Sequence, residues 1–403
     1  MAASLAALPG NEVLFASEYG RRDFSLPGVK RVLLKKPKDR KKAAASISTP
    51  ALDAGERDWT MAYLRGRATA SSLMGVLAEG FEPDMVILSG SMGNGLFVRN
   101  LFPEAFLVGY ADWYFRDEAE TRYPLSTMPD IPLAPRNIRN TLQAKNFFDC
   151  NCHFTTTEWQ REQYPEGMRG FISVLRKCVD TEFFAPAPAS RFSFGDCELT
   201  ERQEIVTLSV RDAARLREGG FWCELPSLLS ARPDCHVVLI STGKEVRLDS
   251  LRESMAAFPS GMRGRIHLLD FLPPGAYRDL LCVSSLHLCK DISFMLPSEL
   301  LEAMSCGCVV LAPDTGAVRD GQNGFLYPSG RRMNWVMLIT LLLERRSELL
   351  SIRRNARKTV FGKHNKNTLL PRHIAFLMDR YSHWRAQQIQ LAEGNDAFES
   401  TSA

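Results

Sequence analysis

Residues 297–330 read PSELLEAMSCGCVVLAPDTGAVRDGQNGFLYPSG, and the fold class can be derived from this segment. Ser298 is a candidate helix N-cap, because its hydroxyl can accept a hydrogen bond from a free backbone N–H of the first turn. Glu299 follows in that turn, where the helix dipole favours a carboxylate, and Gly307 is the expected end of the helix. The apolar positions that would bury one face of this helix are Leu300, Leu301 and Met304.

A strand and a loop follow this helix. Cys308–Ala312 is an apolar run of strand length, and residues 313–316 (Pro-Asp-Thr-Gly) form a turn. A helix, a tight turn, a buried strand and a loop make half of a βαβ repeat, which predicts an α/β protein with a parallel sheet. Ligands bind to such sheets beyond the carboxyl ends of the strands, where this loop lies.

The stretches LLEAMSCGCVVLAPDTGAVRD and GQNGFLYP resemble the donor-sugar-nucleotide signature of family-4 glycosyltransferases, which are retaining enzymes of GT-B fold. The resemblance implies two Rossmann-like domains with parallel sheets that face each other across a cleft. It also implies that Glu302 binds the ribose of the nucleotide, and a carboxylate can accept a hydrogen bond from each hydroxyl of a vicinal diol. The family's first signature glutamate, eight positions earlier, is Phe294 in this chain.

The composition is that of an ordinary globular protein. The chain has 403 residues, enough for two or three domains, of which 45% are hydrophobic and 24% charged. A net charge of +4 is too small to indicate nucleic-acid binding. The ten cysteines lack the spacing of a disulfide framework and several lie in apolar segments, which indicates buried thiols in a reducing cytoplasm.

Three segments bear on localisation. Met1–Gly10 lacks the basic start of a signal peptide, and Trp335–Leu343 is too short to span a membrane, so we expect it to form a core helix. The basic run Lys30–Lys42 indicates either a solvated loop or attraction to anionic lipid headgroups. It contains no aromatic residues for stacking on single-stranded nucleic acid. We therefore expect a cytoplasmic protein, with peripheral contact at the inner membrane face as an open alternative.

The N-terminal domain is predicted to be abbreviated. Glu12–Ser17 is the first expected strand, and Pro27-Gly28 leads directly into the second, Val29–Leu34. The helix that usually follows the first strand of a Rossmann-like domain has no counterpart in this sequence.

Two features of this domain are candidate parts of the site. A buried strand at Met85–Leu88 runs into the loop SGSMGNG, residues 89–95, which can present backbone N–H groups to an anion and makes Gly93 a candidate donor contact. A tight connection without a ligand is the alternative. The stretch Pro83–Arg116 resembles a bacterial branch of the family, in which Asp112 matches an acidic, catalytic position that faces the cleft; a solvated loop acid is the alternative.

The sequence Cys150-Asn151-Cys152-His153 contains metal-ligand residue types. No second ligand pair at zinc spacing follows, so we expect a strand here and no metal site.

Three arginines follow the strand Glu204–Val210, which opens the second domain. Related enzymes carry two cations here that neutralise the donor's diphosphate and the charge that grows on it as the sugar leaves. The resemblance implies this catalytic role for Arg211 and Arg217, with Arg215 as the alternative to Arg217 for the second cation. A guanidinium group matches phosphate in a bidentate way. An exposed helix face with three arginines is the alternative.

The remaining predictions concern the nucleobase and the domain boundaries. Phe271, after a strand at Arg265–Leu269, matches a position that contacts the base in the family. We predict one long helix at Met333–Val360. The expected domains are residues 1–182 on the acceptor side, residues 191–365 for the nucleotide-sugar donor, a helix 366–392 that crosses back to the first domain, and a disordered tail 393–403.

The resemblance covers roughly Pro83 to Tyr327 and implies a retaining, hexosyltransferase-like glycosyltransferase. Such an enzyme moves a sugar from a UDP- or GDP-sugar to a hydroxyl of a glycan or lipid-linked glycan without a required metal, commonly in polysaccharide biosynthesis. Phe294 and the missing first helix motivate an alternative, a catalytically impaired binding or scaffold protein of the same fold. Another doubly wound enzyme, such as an epimerase, is the third possibility.

Overall fold

Two compact units make up the chain. The first contains Met1–Leu125, Pro129–Arg176 and Thr368–Ala403, and the second contains Ser126–Met128 and Lys177–Asn367. The computed structural model describes residues 1–18, 25–35, 50–116, 133–187, 189–213, 216, 220–242, 248–290, 296–328 and 333–401. Lys36–Lys42, Arg215, Arg217 and Phe294 lie outside the described residues.

The first unit is an α/β structure. Its elements up to the unit boundary are α1 (Ala2–Ala6), β1 (Val13–Ser17), β2 (Val29–Leu33), α2 (Pro50–Ala78), β3 (Met85–Ser89), α3 (Val98–Leu101), β4 (Phe106–Tyr110), α4 (Leu133–Asp149), β5 (Cys152–Thr155), α5 (Glu158–Gln163), α6 (Glu166–Arg169) and β6 (Ile172–Val174). Four of the strands form a parallel sheet in the order β3-β4-β5-β6. Their carboxyl ends therefore meet at one edge of the sheet.

β1 and β2 form a separate two-stranded parallel sheet. Residues 18–28 connect the two strands, whereas parallel neighbours usually need a crossover of a dozen or more residues. Residue 18 and residues 25–28 of this connection contain no helix. The rest of the connection, residues 19–24, lies outside the described residues, so the prediction of a missing first helix is not tested there.

The second unit contains a larger α/β structure. Its elements are β7 (Arg191–Phe194), β8 (Cys197–Thr200), β9 (Glu204–Val210), α7 (Gly220–Ala231), β10 (Cys235–Ser241), α8 (Asp249–Met255), α9 (Ser260–Arg263), β11 (Ile266–Leu269), α10 (Pro274–Val283), β12 (Leu286–Leu288), α11 (Ser298–Ser305), β13 (Val309–Ala312), β14 (Phe325–Leu326), α12 (Trp335–Glu344) and α13 (Leu350–His364). β7 and β8 form an antiparallel hairpin. The last helix of the chain, α14 (Lys366–Thr401), begins here and continues into the first unit.

The main sheet of this unit has six parallel strands in the order β11-β10-β9-β12-β13-β14. When the strands of this sheet alone are numbered along the chain, from β9 to β14, this is the order 3-2-1-4-5-6 of a doubly wound nucleotide-binding fold. β9 is the central strand, and Ile205–Val210 is buried along its whole length, as expected for a strand covered by helices on both faces. The direction of winding reverses between β9 and β12, which makes that point of the sheet the expected ligand site.

Two helices replace the single helix predicted at Met333–Val360. α12 buries Trp335, Ile339, Leu342 and Leu343, as predicted for a core helix, and α13 buries Ile352, Ala356, Val360 and His364. α12 ends at Glu344, and residues 345–349 form turns before α13 begins at Leu350.

α14 packs on the first unit's sheet from Thr368 onward. Leu377 is fully buried in a cluster with Phe106 and Val108 of β4, and the rings of Phe106 and Trp384 lie 5.4 Å apart. The helix continues to Thr401, so the structure differs there from the disordered tail expected at residues 393–403. The sequence from residue 393 to 401 reads EGNDAFEST, and its Gly, Asn, Asp, Ser and Thr are weak helix formers, which is why the composition alone does not indicate this helical end.

Candidate active site

Helix α11 presents two carboxylates, Glu299 and Glu302, on one side of its first two turns. The helix ends as predicted at Gly307, whose φ of +77° places it in the left-handed region. The N–H of Cys308 donates to the carbonyl of Ala303 at 2.9 Å, and that of Gly307 donates to Met304 at 3.1 Å. These two bonds form a Schellman closure, which fixes the turn between the helix and β13.

Two predictions for this helix need correction or restriction. Pro297 rather than Ser298 occupies the N-cap position, and no side chain caps the helix, so the N-cap role of Ser298 is wrong. Ser298 is instead the exposed first residue of the helix. The side chain of Leu301 is fully buried in the core, so any contact of Leu301 with a ligand would involve its backbone.

The two carboxylates lie at the point where the sheet reverses its winding. Arg211 directly follows β9, and α11 follows β12, the strand that pairs with β9. Ligands of doubly wound folds bind beyond the carboxyl ends of the strands at this point. The fold therefore brings Arg211, Glu299 and Glu302 to its expected ligand-binding edge.

Arg211 and Glu299 form an ion pair, with 3.5 Å between Nη2 and Oε2. The Glu299 side chain is only 11% exposed, whereas that of Arg211 is 37% exposed. A guanidinium group has five N–H donors, so Arg211 can pair with Glu299 and also bind an incoming phosphate. The ion pair thus holds a cation at the edge of the site.

The electrostatic environment of Glu302 is unusual for a carboxylate. Burial, and then repulsion by Glu299, raise the pKa of Glu302 to about 7, although the Lys177 ammonium lowers it. Near neutral pH this side chain therefore exchanges between a neutral acid, which can donate a hydrogen bond, and a carboxylate, which only accepts. A perturbed carboxyl group at the ligand edge of a sheet is a candidate functional group.

Lys177 is a residue of this site that the sequence analysis missed. Its ammonium is half-buried and donates to the carbonyl of Leu296 at 2.9 Å, just before α11. Burial lowers the pKa of Lys177, and the charges of Glu302 and Glu299 oppose that effect. No motif marks this lysine, because 119 positions of sequence separate it from Leu296.

Buried neutral groups line the interior side of the cluster. Cys289 is buried, and so is the hydroxyl of Tyr277 of α10, although its ring is partly exposed. Burial raises the pKa of each group well above its usual value, helped by the charge of Glu299. Both groups therefore remain uncharged at neutral pH. They give the carboxylates a surrounding of low polarity, in which charge interactions are stronger than in water.

The structure brings together only some of the donor-site candidates. Arg215 and Arg217, the candidates for the second cation, lie outside the described residues. Phe271 is half-buried and is the second residue after β11, so it belongs to the same carboxyl edge of the sheet as Arg211. Its contact with a base stays a prediction.

In the first unit, Asp112 is part of a hydrogen-bonded network rather than a solvated loop acid. Its carboxylate accepts from the backbone N–H of Trp113 at 2.8 Å and from the side-chain amide of Gln143, which in turn accepts from the hydroxyl of Tyr164. Burial raises the pKa of Asp112 to about 6, although hydrogen bonds from Ser91 and Trp113 lower it. Such a carboxyl group can change its protonation state near neutral pH.

Gly93 has a packing reason to be a glycine. Its φ is +93°, and a Cβ at this position would lie 2.3 Å from the backbone oxygen of Ala62 in α2. The close approach of this loop to α2 therefore requires glycine whether or not an anion binds there.

Residues 150–153 form a strand start, as expected. Cys152 and His153 begin β5, and burial raises the pKa of Cys150 to about 12 and lowers that of His153. Across the described part of the chain, no group of three or more His, Cys, Asp or Glu side chains is placed to hold a metal ion.

The described start of the basic run is anchored to α2. The ammonium of Lys30 lies 2.9 Å from a carboxylate oxygen of Glu79, and that of Lys35 donates to the hydroxyl of Ser71 at 3.3 Å. Among the described helices, none is long and apolar enough to cross a lipid bilayer.

Two protein-family models match this chain. Residues 9–184 match the glycosyl transferase family 4 group, and residues 221–345 match the glycosyl transferases group 1. No curated protein sequence matches it.

Solved structures share the fold at low sequence identity. Sucrose-phosphate synthase from Thermosynechococcus elongatus aligns with a TM-score of 0.65 at 13% identity, over 95% of this chain and 92% of that chain. HepE from Anabaena, solved in complex with UDP-glucose, aligns with a TM-score of 0.57 at 14% identity, over 78% and 83% of the two chains. The pneumococcal O-GlcNAc transferase GtfA, solved with UDP and GlcNAc, aligns with a TM-score of 0.53 at 15% identity, over 77% and 60%.

The family models cover parts of both units, and the solved structures share the doubly wound architecture. The chain is therefore a family-4-like glycosyltransferase of GT-B fold, in which residues 9–184 match the glycosyl transferase family 4 group and residues 221–345 match the glycosyl transferases group 1.

Proposed function

We propose that this protein is a retaining glycosyltransferase that moves a sugar from a nucleotide-sugar donor to a hydroxyl acceptor. The observation that carries the proposal is the cluster of Arg211, Glu299 and Glu302 at the point where the sheet of the second unit reverses its winding. This cluster offers a guanidinium for a diphosphate and carboxylates for a ribose diol at one edge.

Arg211 would bind the donor's diphosphate, and Glu302 would bind the ribose hydroxyls. Arg217, with Arg215 as the alternative, would supply the second cation, and Phe271 would contact the base. The backbone of Ser298 and Leu301 at the start of α11 and the loop at Gly93 would complete the donor contacts. These arginines would supply the charge stabilisation that a metal supplies in other transferases, so the proposed reaction needs no metal.

In the proposed reaction, the bond between the anomeric carbon and the phosphate oxygen breaks, and the acceptor oxygen forms a new bond on the same face of the sugar. The leaving phosphate takes the acceptor's proton. Arg211 would stabilise the negative charge that grows on this phosphate. No enzyme nucleophile takes part.

For the acceptor, we propose a role for Asp112 of the first unit. Its pKa of about 6 makes it a carboxylate at neutral pH that can accept a hydrogen bond from an acceptor hydroxyl. A glycan or lipid-linked glycan would be the acceptor, and Lys30–Lys42 would provide contact with an anionic membrane surface. UDP is the first donor nucleotide to test, because HepE was solved with UDP-glucose and GtfA with UDP.

Phe294 supports a second candidate function. Since the family's first signature glutamate is absent at this position, the protein could bind a nucleotide but fail to orient the sugar. It would then act as a catalytically impaired binding or scaffold protein.

A thermal-shift screen of UDP-, GDP- and ADP-sugars tests the proposal, followed by proton NMR of the reaction with the stabilising donor. Retention requires that the anomeric configuration of the product equal that of the donor sugar. Stabilisation by a nucleotide sugar without transfer or slow hydrolysis would support the scaffold function. Stabilisation by none of them would overturn both.

A further inference from the structure

Two of the passages of the chain between its units are paired with each other on the second unit's side. One lies between Arg176 and Lys177, and the other between Asn367 and Thr368. The N–H of Val179 donates to the carbonyl of His364 at 2.7 Å, and that of Lys366 donates back to Val179 at 2.9 Å. The segment around Lys177 is therefore fixed to the end of α13.

Lys177 itself is held at both ends. Nδ1 of His364 lies 2.9 Å from its backbone oxygen, and its ammonium donates to the carbonyl of Leu296 at 2.9 Å. Leu296 is 3% exposed and directly precedes Pro297, the N-cap of α11. The side chain is thus extended from a fixed backbone to a fixed point at the start of the helix.

A cation is unfavourable at this point unless carboxylates compensate for it, because the N-terminus of a helix carries a positive partial charge. Glu299 and Glu302 of α11 provide this compensation. Within the described part of the chain, no carboxylate oxygen forms an ion pair with the Lys177 ammonium at 4.0 Å or less. Lys177 therefore acts on the carboxylates over a longer distance, through surroundings of low polarity.

We infer that Lys177 is a positioning residue of the donor site, whose ammonium keeps Glu302 ionised and so able to accept hydrogen bonds from a ribose diol. The assignment of the diol as the ligand rests on the proposed function. The effect of Lys177 on the charge of Glu302 does not, because it is a property of the unliganded protein.

The groups around Glu302 act in opposite directions. Burial and Glu299 raise its pKa, and Lys177 lowers it. The charge of Glu302 in turn contributes to the raised pKa of the Tyr277 phenol on α10 and of the Cys306 thiol at the end of α11. Arg211 is paired with Glu299. Loss of Lys177 therefore removes the cation that directly opposes the protonation of Glu302.

The first test is a carboxyl titration of the unliganded protein by NMR with ¹³C-labelled glutamate, in which Glu302→Gln identifies the signal. We expect Lys177→Met and Lys177→Gln to raise the titration midpoint of Glu302 by about one pH unit. Lys177→Arg should restore it, and Lys358→Met should leave it unchanged, because Lys358 is an exposed lysine of α13. An unchanged midpoint in folded Lys177→Met or Lys177→Gln would overturn the inference.

The second test measures binding of uridine and UDP from pH 6 to 9. Guanosine with GDP and adenosine with ADP are measured in the same way. If Lys177 acts through Glu302, the Lys177 variants should bind nucleoside and diphosphate more weakly than the wild type by the same factor at pH 7. At pH 9 both affinities should return to the wild-type values. A loss confined to the diphosphate would mean that Lys177 contacts phosphate, and would overturn the inference. If the wild type binds none of these, the proposed function fails, and the carboxyl titration alone decides the effect of Lys177 on Glu302.

Discussion

Glu299 holds the Arg211 guanidinium with 3.5 Å between Oε2 and Nη2, and the same carboxylate raises the pKa of Glu302 on the next turn of α11. One side chain therefore acts on both halves of the proposed donor site. It pairs with the cation that is proposed to bind the diphosphate, and it makes the carboxyl group that is proposed to bind the ribose harder to ionise. These two effects have opposite signs for ligand binding, so they can be separated by experiment.

Replacement of Glu299 by Gln should change nucleoside and nucleotide binding in opposite directions. Without the negative charge, the pKa of Glu302 falls, so uridine should bind more tightly at pH 6. Without its ion-pair partner, Arg211 is held less firmly, so the extra affinity of UDP over uridine should fall by about tenfold, or about 1.4 kcal/mol. Isothermal titration calorimetry at pH 6 and 8 measures both effects. Parallel losses for the two ligands would contradict this account.

Glu302 should make the unliganded protein less stable as pH rises. Its pKa in the folded protein, about 7, lies above the usual value of 4.5. The stability it contributes is complete below pH 4.5 and is lost as pH rises through 7. We expect the free energy of unfolding of Glu302→Gln to equal that of the wild type near pH 4.5 and to be larger at pH 8, by at most about 3 kcal/mol. Urea denaturation at the two pH values checks this, and a difference that does not depend on pH would refute it.

Gly93→Ala should destabilise the protein more than Gly80→Ala. Both glycines have positive φ, but a Cβ at position 93 meets the backbone of α2 at 2.3 Å, whereas one at position 80 meets nothing within 4 Å. We expect a loss of about 1 kcal/mol for Gly80→Ala and of about 3 kcal/mol or more for Gly93→Ala. Chemical denaturation gives both values. Equal losses would show that packing against Ala62 does not explain the glycine.

Asp112→Asn tests the acceptor-side role. The amide is close in shape to the carboxyl group and can keep the hydrogen bond from the backbone of Trp113. A catalytic carboxylate should therefore lose at least about tenfold in turnover on this change, with donor binding unchanged. The wild-type rate should rise with pH through about 6, and the variant should lack this rise. Full activity of the variant would leave Asp112 a structural residue.

The order of elements around the donor site could be predicted from the sequence, because it depends on local patterns. The apolar spacing after Pro297 and the position of Gly307 define α11, and the apolar run after Gly307 gives β13. The N-cap prediction at Ser298 is wrong because a favourable side chain does not determine where the backbone enters the helical conformation.

Features that depend on distant contacts could not be predicted. Lys177 reaches the site through a carbonyl that is 119 positions away in the sequence. The raised pKa of Glu302 comes from burial, which the sequence does not give. Gly93 illustrates the same limit. A glycine that is required by close contact with Ala62 and a glycine in a phosphate-binding loop look the same in the sequence.

The most direct test of the central claim is calorimetric titration of UDP, GDP and ADP into the wild type, Glu302→Gln and Arg211→Met at pH 8, with Arg345→Met as a control for an exposed, ion-paired arginine. We predict that at least one diphosphate binds the wild type and the control equally. Glu302→Gln and Arg211→Met should each weaken that binding by about tenfold or more. Binding of none of the three, or equal binding by all four proteins, would contradict the assignment of this cluster as the donor site.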